Sequence, residues 1–506
     1  MPLPTSDDRY FRTDHLEADI KRSSIRGGAV TTTAQFCKFV LNTSTTMLLA
    51  RLLTPQDYGL IGMVTAITGL IIILEDLGLS AATVQSAELN HRQVTVLFWL
   101  NLGVGALLAV LLACAAPAIA WFYREPRLTL IAVWLAPGFV LSGAAAQHGA
   151  LLKRQMRFAV LAAVEISALV IGIITGVICA WRGAGYWALI SIQLTTGLAS
   201  VAGYWIGCRW RPGVPSGISG VRSLLRFGGN LAGFQFTNYI GRNLDNVLIG
   251  RYWGPTQLGY YARAYNLLTL PLAQINGPTT TVMLSALSRV CKDPERFRRA
   301  FLRYLSTITC VTIPLVVFCI AMCDEIIGVV LGAQWNGAVP IFRALGIAGL
   351  VQVITSPCGI LLIASGRTNR MFRLGVTTTL VTVIAFIIGL PLGALGVAVS
   401  YAVYAWLAAV PIIAYTCALT AVNVADIGKA VVKPAAIACA VGLVLIVLRL
   451  VWPQEHRLLL HLLVAGLLAF ATWGALVCLP ACDEINPFKF FSSGFFHSRQ
   501  EAPTDG

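Results

Sequence analysis

Apolar runs long enough to cross a lipid bilayer follow one another along almost the whole chain. A helix needs about 20 apolar residues to span a hydrocarbon core roughly 30 Å thick. Lipid cannot hydrogen-bond to exposed backbone groups, so spanning segments are helices or closed barrels, and the alternating pattern of barrel strands is absent here. We count fourteen runs: 28–50, 58–84, 94–121, 128–151, 158–181, 184–207, 227–250, 258–287, 304–323, 339–364, 374–391, 394–418, 431–448 and 458–481. With 57% hydrophobic residues, 12% charged residues and a mean hydropathy of +0.76, the chain is predicted to be an all-α polytopic membrane protein.

The net charge of +15 follows the predicted alternation of the loops between the two sides of the membrane. With the N-terminus inside, the cytoplasmic segments hold 26 lysines and arginines, whereas the opposite segments hold 7. Basic residues favour the cytoplasmic side, so this bias predicts that both termini are cytoplasmic. The basic loops 153–157 and 289–303 are then topological anchors with a secondary role in contacts with membrane lipids, and no nucleic acid is needed as a partner. Four cations are left within the runs: Lys38, Arg242, Arg263 and Arg343.

The sequence shows no pattern typical of a cleavable signal peptide, a metal site, a disulfide framework or a nucleotide-binding motif. The first 26 residues lack the order of a cleavable signal peptide, so we expect the first helix to direct insertion. The thirteen cysteines form no Cys-x-x-Cys pair, and the six histidines lie mostly in loops and tails. The sequence therefore predicts no metal, no disulfide framework and no cofactor. It also lacks a Walker motif, which argues against nucleotide hydrolysis by that route.

One short motif occurs twice, 200 positions apart. The segments "ARLLTPQDYGL" (50–60) and "GRYWGPTQLGY" (250–260) share an arginine, a proline and a glycine, and 35–59 matches 235–259 at six positions without a gap. Each half has six apolar runs, so both copies would have the same orientation and be related by an axis along the membrane normal. We therefore predict two six-helix bundles, two additional helices and terminal tails. The bounds are 1–26 (cytoplasmic tail), 27–207 (first bundle), 208–226 (cytoplasmic linker), 227–418 (second bundle), 419–481 (two extra helices) and 482–506 (cytoplasmic tail).

Polar residues recur in the first helix of each half with matching spacing. They lie three or four positions apart and so share one helix face: Gln35, Lys38, Asn42 and Thr45 in the first copy, and Gln235, Asn238, Arg242 and Asp245 in the second. Charge within a membrane usually faces a bundle interior or a watery cavity, so these stripes are candidate substrate contacts. Arg242 and Asp245 could instead neutralise each other. Lys38 has no acidic neighbour on its own helix and needs a partner from elsewhere or a wet cavity, which makes it the leading candidate.

The remaining charged positions in the runs leave alternatives open. Arg263 lies inside the eighth run and is a further cavity candidate. Glu75 and Asp76 are either an interfacial pair at a helix end or groups that couple an ion or a proton to transport. Glu165 lies deeper and is either the structural partner of an arginine or a proton-coupling carboxylate. Asp245 is a coupling candidate as well.

Three stretches resemble bacterial polysaccharide exporters. They are "LARLLTPQDYGLIGM", "EDLGLSAATVQ" and "RNLDNVLIGRYWGPTQLGYYARAYNLLTLPLAQI", and the likeness runs from about residue 20 to 420. The family is that of the oligosaccharide-lipid flippases in the multidrug/oligosaccharidyl-lipid/polysaccharide exporter superfamily, in particular its colanic-acid-exporter-like branch. The resemblance implies two six-helix bundles around a central cavity in the bacterial inner membrane. It also implies that the basic cavity residues are Lys38, Arg242 and Arg263.

The implied substrate is an undecaprenyl-pyrophosphate-linked oligosaccharide repeat unit for exopolysaccharide, capsule or O-antigen. A pyrophosphate seeks cations in a low-dielectric cleft, and amide side chains suit glycan hydroxyls. Alternating access would move this lipid-linked oligosaccharide, driven by an ion or proton gradient. The polymerase and chain-length proteins of the same pathway are the further partners that the resemblance implies.

Other functions stay open at this point. A multidrug or cation antiporter of the same superfamily is one, although its cationic substrates favour acidic cavities and the deep charges here lean basic. A membrane glycan polymerase or ligase is another, but such enzymes carry a large outer loop or an acidic catalytic motif. The longest connection here is the loop 208–226, which leaves no room for a catalytic domain. A structural scaffold of a glycan assembly complex is the third. We therefore expect a secondary transporter rather than an enzyme.

Overall fold

The structure, a computed structural model, describes residues 20–76, 79–86, 89–214, 222–452 and 458–479. No strand occurs in those ranges, which confirms the predicted all-α class. The α-helices are α1 (Ile20–Leu52), α2 (Pro55–Asp76), α3 (Leu79–Gln85), α4 (His91–Tyr123), α5 (Arg127–Leu135), α6 (Pro137–Arg154), α7 (Phe158–Trp181), α8 (Trp187–Cys208), α9 (Arg222–Val290), α10 (Pro294–Ala321), α11 (Cys323–Val330), α12 (Val339–Ala364), α13 (Thr368–Gly389), α14 (Gly393–Ala418), α15 (Val424–Val451) and α16 (Leu458–Val477). Short 3₁₀ helices occupy Ala333–Ala338 and Leu390–Leu392.

Length and hydropathy make this a multi-pass membrane protein. Nine helical stretches in the described ranges are long and apolar enough to cross a membrane. One of them, Thr368–Ala418, has 51 residues and holds both α13 and α14, which are separated by the 3₁₀ turn and by Gly393 with φ 80°. The count of fourteen crossings and the two six-helix bundles stay predictions.

Several elements begin or divide at places that differ from the predicted runs. Helix α1 begins within the predicted tail 1–26, and α9 begins within the predicted linker 208–226. Helix α10 begins ten residues before the run 304–323, because Asp293 caps it: its Oδ1 accepts a hydrogen bond from Arg296 N at 3.1 Å, and a proline opens the first turn. The predicted tail 482–506 and the first 19 residues of the other tail lie outside the described residues.

The chain divides into two compact units, Met1–Gly259 and Tyr260–Gly506. The division falls after the predicted linker 208–226, within the segment that was expected to open the second bundle. In unit 1, the Tyr239 hydroxyl donates to Thr65 O and Ala66 O, both at 3.2 Å, so the first part of α9 packs against α2. The domain bounds derived from the sequence stay a prediction.

The duplicated proline begins a helix in both copies. In the first copy, Thr54 and Asp57 cap α2 reciprocally: Asp57 Oδ2 accepts from Thr54 N at 2.9 Å, and Asp57 N donates to Thr54 Oγ1 at 3.3 Å. In the second copy, Gly254 breaks the long helix α9 with φ 80° and ψ −178°, a conformation that is essentially restricted to glycine. Pro55 and Pro255 directly follow these breaks, where a missing N–H costs nothing.

The duplicated glycine provides a close backbone contact, and the two contacts are reciprocal. A Cβ on Gly59 would overlap the carbonyl group of Pro255, and a Cβ on Gly259 would overlap the carbonyl group of Pro55. All four residues belong to unit 1. A contact between i and j that recurs between the counterparts of i and j is the mark of a two-fold axis. Segments 55–59 and 255–259 are therefore related by a local two-fold axis.

Charged residues fasten the last two helices to the rest of unit 2. Arg449 of α15 lies between two carboxylates of α11, 2.5 Å from Asp324 Oδ2 and 3.2 Å from Glu325 Oε2. His461 Nδ1 of α16 lies 3.2 Å from Glu325 Oε1, and the Glu325 side chain is fully buried. Arg343 at the start of α12 joins the cluster through Asp324 at 3.1 Å. A buried carboxylate is stable only with such partners, so these contacts fix the positions of α15 and α16.

Candidate functional site

An ion pair joins two helices of unit 1. Lys38 Nζ of α1 lies 2.6 Å from Glu165 Oε2 of α7, and their side chains are 23% and 30% exposed. Tyr204 of α8 also interacts with the Glu165 carboxylate. The partner that the sequence required for Lys38 is therefore an acidic residue from another helix. Neither side chain is fully buried.

Small residues set the position of Glu165 between its neighbours. Gly203 of α8 faces Val164, with the Val164 Cγ1 atom 2.7 Å from where a Cβ would stand, and Gly207 faces Val160 in the same way at 2.8 Å. From the other side, Gly176 of α7 leaves room for the carbonyl group of Ala188. Small residues let membrane helices approach closely. The close contact of α7 with α8 thus brings Glu165 near Tyr204 and turns it towards α1.

The other stripe residues have different environments. Gln35 and Asn42 are exposed, on the same helix as Lys38. Asp245 is buried in unit 1, and its Oδ1 accepts a hydrogen bond from Asn246 N at 2.7 Å. The side chains of Gln235, Asn238 and Arg242 lie outside the described residues, so the stripe of the second copy and the pairing of Arg242 with Asp245 stay predictions.

Three further candidates, Arg263, Glu75 and Asp76, are not members of the ion pair. Arg263 is half-buried in unit 2. Glu75 and Asp76 are the last residues of α2 before 77–78, which lie outside the described residues together with the side chains of this pair, so both interpretations of the pair stay predictions. Glu165 is the partner of a lysine rather than an arginine. Its role in proton coupling stays a prediction, as do those of the other acidic candidates.

Unit 2 contains a polar cleft that the sequence reasoning did not identify. It has a volume of about 410 Å³ and lies between α12, α13 and α14. Helix α12 contributes three polar side chains and the other two helices contribute two each: Gln352, Thr355, Ser356, Thr378, Thr382, Tyr401 and Tyr404. None of the described lining residues carries a charge. Gln352 Nε2 donates to the Tyr401 hydroxyl at 2.6 Å, and the Tyr404 hydroxyl donates to Thr378 O at 3.0 Å.

A larger groove of about 870 Å³ lies beside this cleft on the same pair of helices, α13 and α14. Branched aliphatic side chains, among them Val381, Ile384, Val403 and Leu407, dominate its lining. Its apolar surface suits lipid chains, and Arg373 lies at the end formed by the start of α13. The groove also has polar lining residues, among them Thr377, Ser400 and Tyr415, and it shares Thr378 and Tyr404 with the cleft.

The cleft had a signal in the sequence. Gln352, Thr355 and Gly359 are three and four positions apart on α12, and Thr378 and Thr382 are four apart on α13, so each set shares one helix face. Each stripe that the sequence analysis identified contains a charged residue, whereas all of these residues are neutral. Threonine also satisfies its own hydroxyl within a helix and is therefore a weak signal of function.

Comparison with known proteins shows the family of the chain. Residues 48–340, more than half of the chain, match a family described as polysaccharide biosynthesis protein. The chain belongs to this family. The resemblance to polysaccharide exporters that the sequence suggested is thereby confirmed.

Two relatives have informative names. The chain is 28% identical over 360 residues to the lipopolysaccharide biosynthesis protein WzxC of Escherichia coli (strain K12), which covers 70% of this chain and 72% of WzxC. It is 26% identical over 323 residues to the succinoglycan biosynthesis transport protein ExoT of Rhizobium meliloti (strain 1021), which covers 63% of this chain and 64% of ExoT. Both names refer to bacterial polysaccharides, and the second refers to transport.

A solved structure shares the fold. The lipid II flippase MurJ, in an inward closed conformation, superposes with a TM-score of 0.70 over 88% of this chain and 98% of its own, at 17% identity. At that identity the likeness concerns the fold. The chain is thus a helical membrane protein of a polysaccharide biosynthesis family, with a fold that it shares with MurJ.

Proposed function

We propose that the protein is a flippase that translocates undecaprenyl-pyrophosphate-linked oligosaccharide repeat units across the bacterial cytoplasmic membrane by alternating access. The product would enter exopolysaccharide, capsule or O-antigen synthesis. The observation that carries the proposal is the Lys38–Glu165 ion pair between helices α1 and α7 of a polysaccharide biosynthesis protein. The names of WzxC, ExoT and MurJ support the same substrate class.

The ion pair suggests how a pyrophosphate could compete with Glu165 for Lys38. The ammonium of Lys38 is neutralised by Glu165 when no substrate is bound. A pyrophosphate carries more negative charge than one carboxylate and binds the same ammonium more strongly in a low-dielectric site. Glu165 would then lose its cation and keep its contact with Tyr204. Substrate binding and the release of Glu165 from the ion pair would thus be coupled in one step.

The proposed architecture follows from the same function. Two six-helix bundles with both termini in the cytoplasm would rock around a site near the middle of the membrane. Lys38, Arg242 and Arg263 would contact the pyrophosphate, while Gln35, Asn42, Gln235 and Asn238 would contact sugar hydroxyls. Asp245, Glu165, Glu75 and Asp76 are the carboxylates available for coupling to an ion or proton.

A reconstituted transport assay tests the proposal. The full chain is placed in liposomes that carry a lipid-linked oligosaccharide extracted from a flippase-deleted strain, and access of an external glycosidase to the glycan is followed with time. We expect the protein to expose glycan initially protected in the inner leaflet, and to do so faster when a proton gradient is applied. Liposomes with a heat-inactivated sample are the control. Equal exposure in both preparations would contradict the proposal.

A further inference from the structure

The neutral cleft of unit 2 lies at the middle of the apolar helices that form it. Gln352 occupies the centre of α12, and Thr378 and Thr382 lie in the middle of α13. Uncompensated polar groups in hydrocarbon are costly, and polar residues inside a membrane usually face a bundle interior or a water-filled cavity. The cleft is such a space, with a volume of about 410 Å³, which is within the usual range for small-ligand pockets of roughly 300–1,000 Å³.

Interhelical bonding alone does not account for this polarity. Two hydrogen bonds, from Gln352 to Tyr401 and from Tyr404 to Thr378 O, join the three helices and are enough to hold them together. Thr382 adds a contact with the Tyr404 side chain of α14. Thr355 also lines the cleft, and its hydroxyl donates to the backbone oxygen of Val351 in its own helix, at 3.3 Å. The presence of Thr355 and of the neighbouring Ser356 on the cleft wall therefore calls for another explanation.

The chemistry of the wall favours a saccharide. A hydroxyl that donates to a backbone oxygen keeps lone pairs that can accept hydrogen bonds, so the threonines offer acceptors to the hydroxyl groups of a ligand. The rings of Tyr401 and Tyr404 are stacked with centroids 6.4 Å apart, and Phe386 packs against Tyr401 at 5.5 Å. These rings give rigid apolar surfaces beside the polar groups. The absence of charge among the described lining residues makes the cleft unsuited to a pyrophosphate.

We infer that the cleft between α12, α13 and α14 binds one or more uncharged sugar residues of the transported lipid. The inference rests on the proposed function and adds the cleft to the amide side chains as a contact for the glycan. The cations bind the pyrophosphate. The cleft raises the affinity of the protein for the lipid only when a glycan is attached to it. Recognition by hydrogen bonds is selective, because a ligand that lacks the hydroxyls leaves the polar wall unpaired.

A binding comparison with two probes tests this assignment. The full chain in lipid nanodiscs is titrated with bare undecaprenyl pyrophosphate and with the lipid-linked oligosaccharide from a flippase-deleted strain. We expect the protein to bind the oligosaccharide form at least about tenfold more tightly, and Thr382→Val to bring the two dissociation constants to within about threefold. Val403→Ile, on the apolar groove of α14, is the matched control and should keep the preference.

The outcomes separate this inference from the proposed function. If the unaltered protein binds neither probe, the proposed function fails. If it binds both and Thr382→Val keeps the full preference for the glycan form, the cleft assignment is overturned. Gln352→Leu serves as a second variant: it also removes the hydrogen bond to Tyr401, so its thermal unfolding is measured beside the binding. Thr382→Val removes the contact with Tyr404 of α14, so its thermal unfolding is measured in the same way.

Discussion

Lys38 Nζ and Glu165 Oε2 lie 2.6 Å apart although 127 positions separate them in the chain. The contact joins α1 to α7 and neutralises a lysine for which its own helix offers no acidic residue. It turns a general expectation about cations in the membrane into a defined pair. The pair can be tested by exchanging its charges.

The first prediction concerns this exchange. Lys38→Glu places two carboxylates side by side, so we expect both the yield of folded protein and transport to fall, with transport at least about tenfold lower. The double variant Lys38→Glu/Glu165→Lys restores the pair, and its thermal unfolding should return to nearly that of the unaltered chain. Transport should stay low if the ammonium must come from α1. Full transport by Lys38→Glu alone would remove Lys38 from the site.

The second prediction concerns the close backbone contact at Gly59. A methyl group there would overlap the carbonyl group of Pro255, and helix backbones have little freedom to move apart. We expect Gly59→Ala to destabilise the protein by about 1–3 kcal/mol, which is the usual cost of overpacking. Gly103→Ala is the matched control, since nothing lies within 4 Å of its Cβ position. Equal melting temperatures for the two variants in detergent would contradict this contact.

The third prediction concerns the buried carboxylate of unit 2. Glu325→Gln removes the buried charge beside Arg449, which keeps its ion pair with Asp324, so we expect the free energy of unfolding to fall by about 1–3 kcal/mol. The neighbouring Asp324 is 39% exposed, and Asp324→Asn should cost less. Thermal unfolding of both variants provides the measurement. A larger drop in unfolding temperature for Asp324→Asn would show that the exposed carboxylate contributes more to stability than the buried one.

The fourth prediction concerns orientation in the membrane. Cys291 is exposed in the short loop between α9 and α10, on the side that the positive residues assign to the cytoplasm. Glu125 lies in the loop between α4 and α5, on the opposite side. In intact cells, a membrane-impermeant maleimide should therefore label the variant Glu125→Cys and spare Cys291, as read from the modified peptides. Labelling of Cys291 before permeabilisation would reverse the predicted orientation.

The sequence predicted the class of fold because bilayer thickness imposes a length on each apolar run. It was less successful at boundaries. Helix α10 begins at Pro294, in a basic, polar stretch that the hydropathy pattern assigns to a loop. The cap at Asp293 is a local sequence signal that predicts this start. The repeat was recognised from its prolines and glycines, whose backbone roles are the same in both copies.

The site was predictable only in part. Lys38 could be singled out because a charge within an apolar run is conspicuous, but its partner could not, since nothing in the sequence specifies which of the distant carboxylates the helix packing brings near. The cleft around Gln352 and Tyr401 was missed for a different reason. Its residues are neutral, and their significance arises only when three helices bring them to one space.

The reciprocal contacts of Gly59 with Pro255 and of Gly259 with Pro55 have a consequence for how such a chain can evolve. In a homodimer of two identical subunits, one glycine codon would supply both contacts, and a mutation would change both at once. In a single chain the two codons mutate separately. One contact can then change while the other persists, so the two copies of the motif can diverge without losing both contacts in a single step.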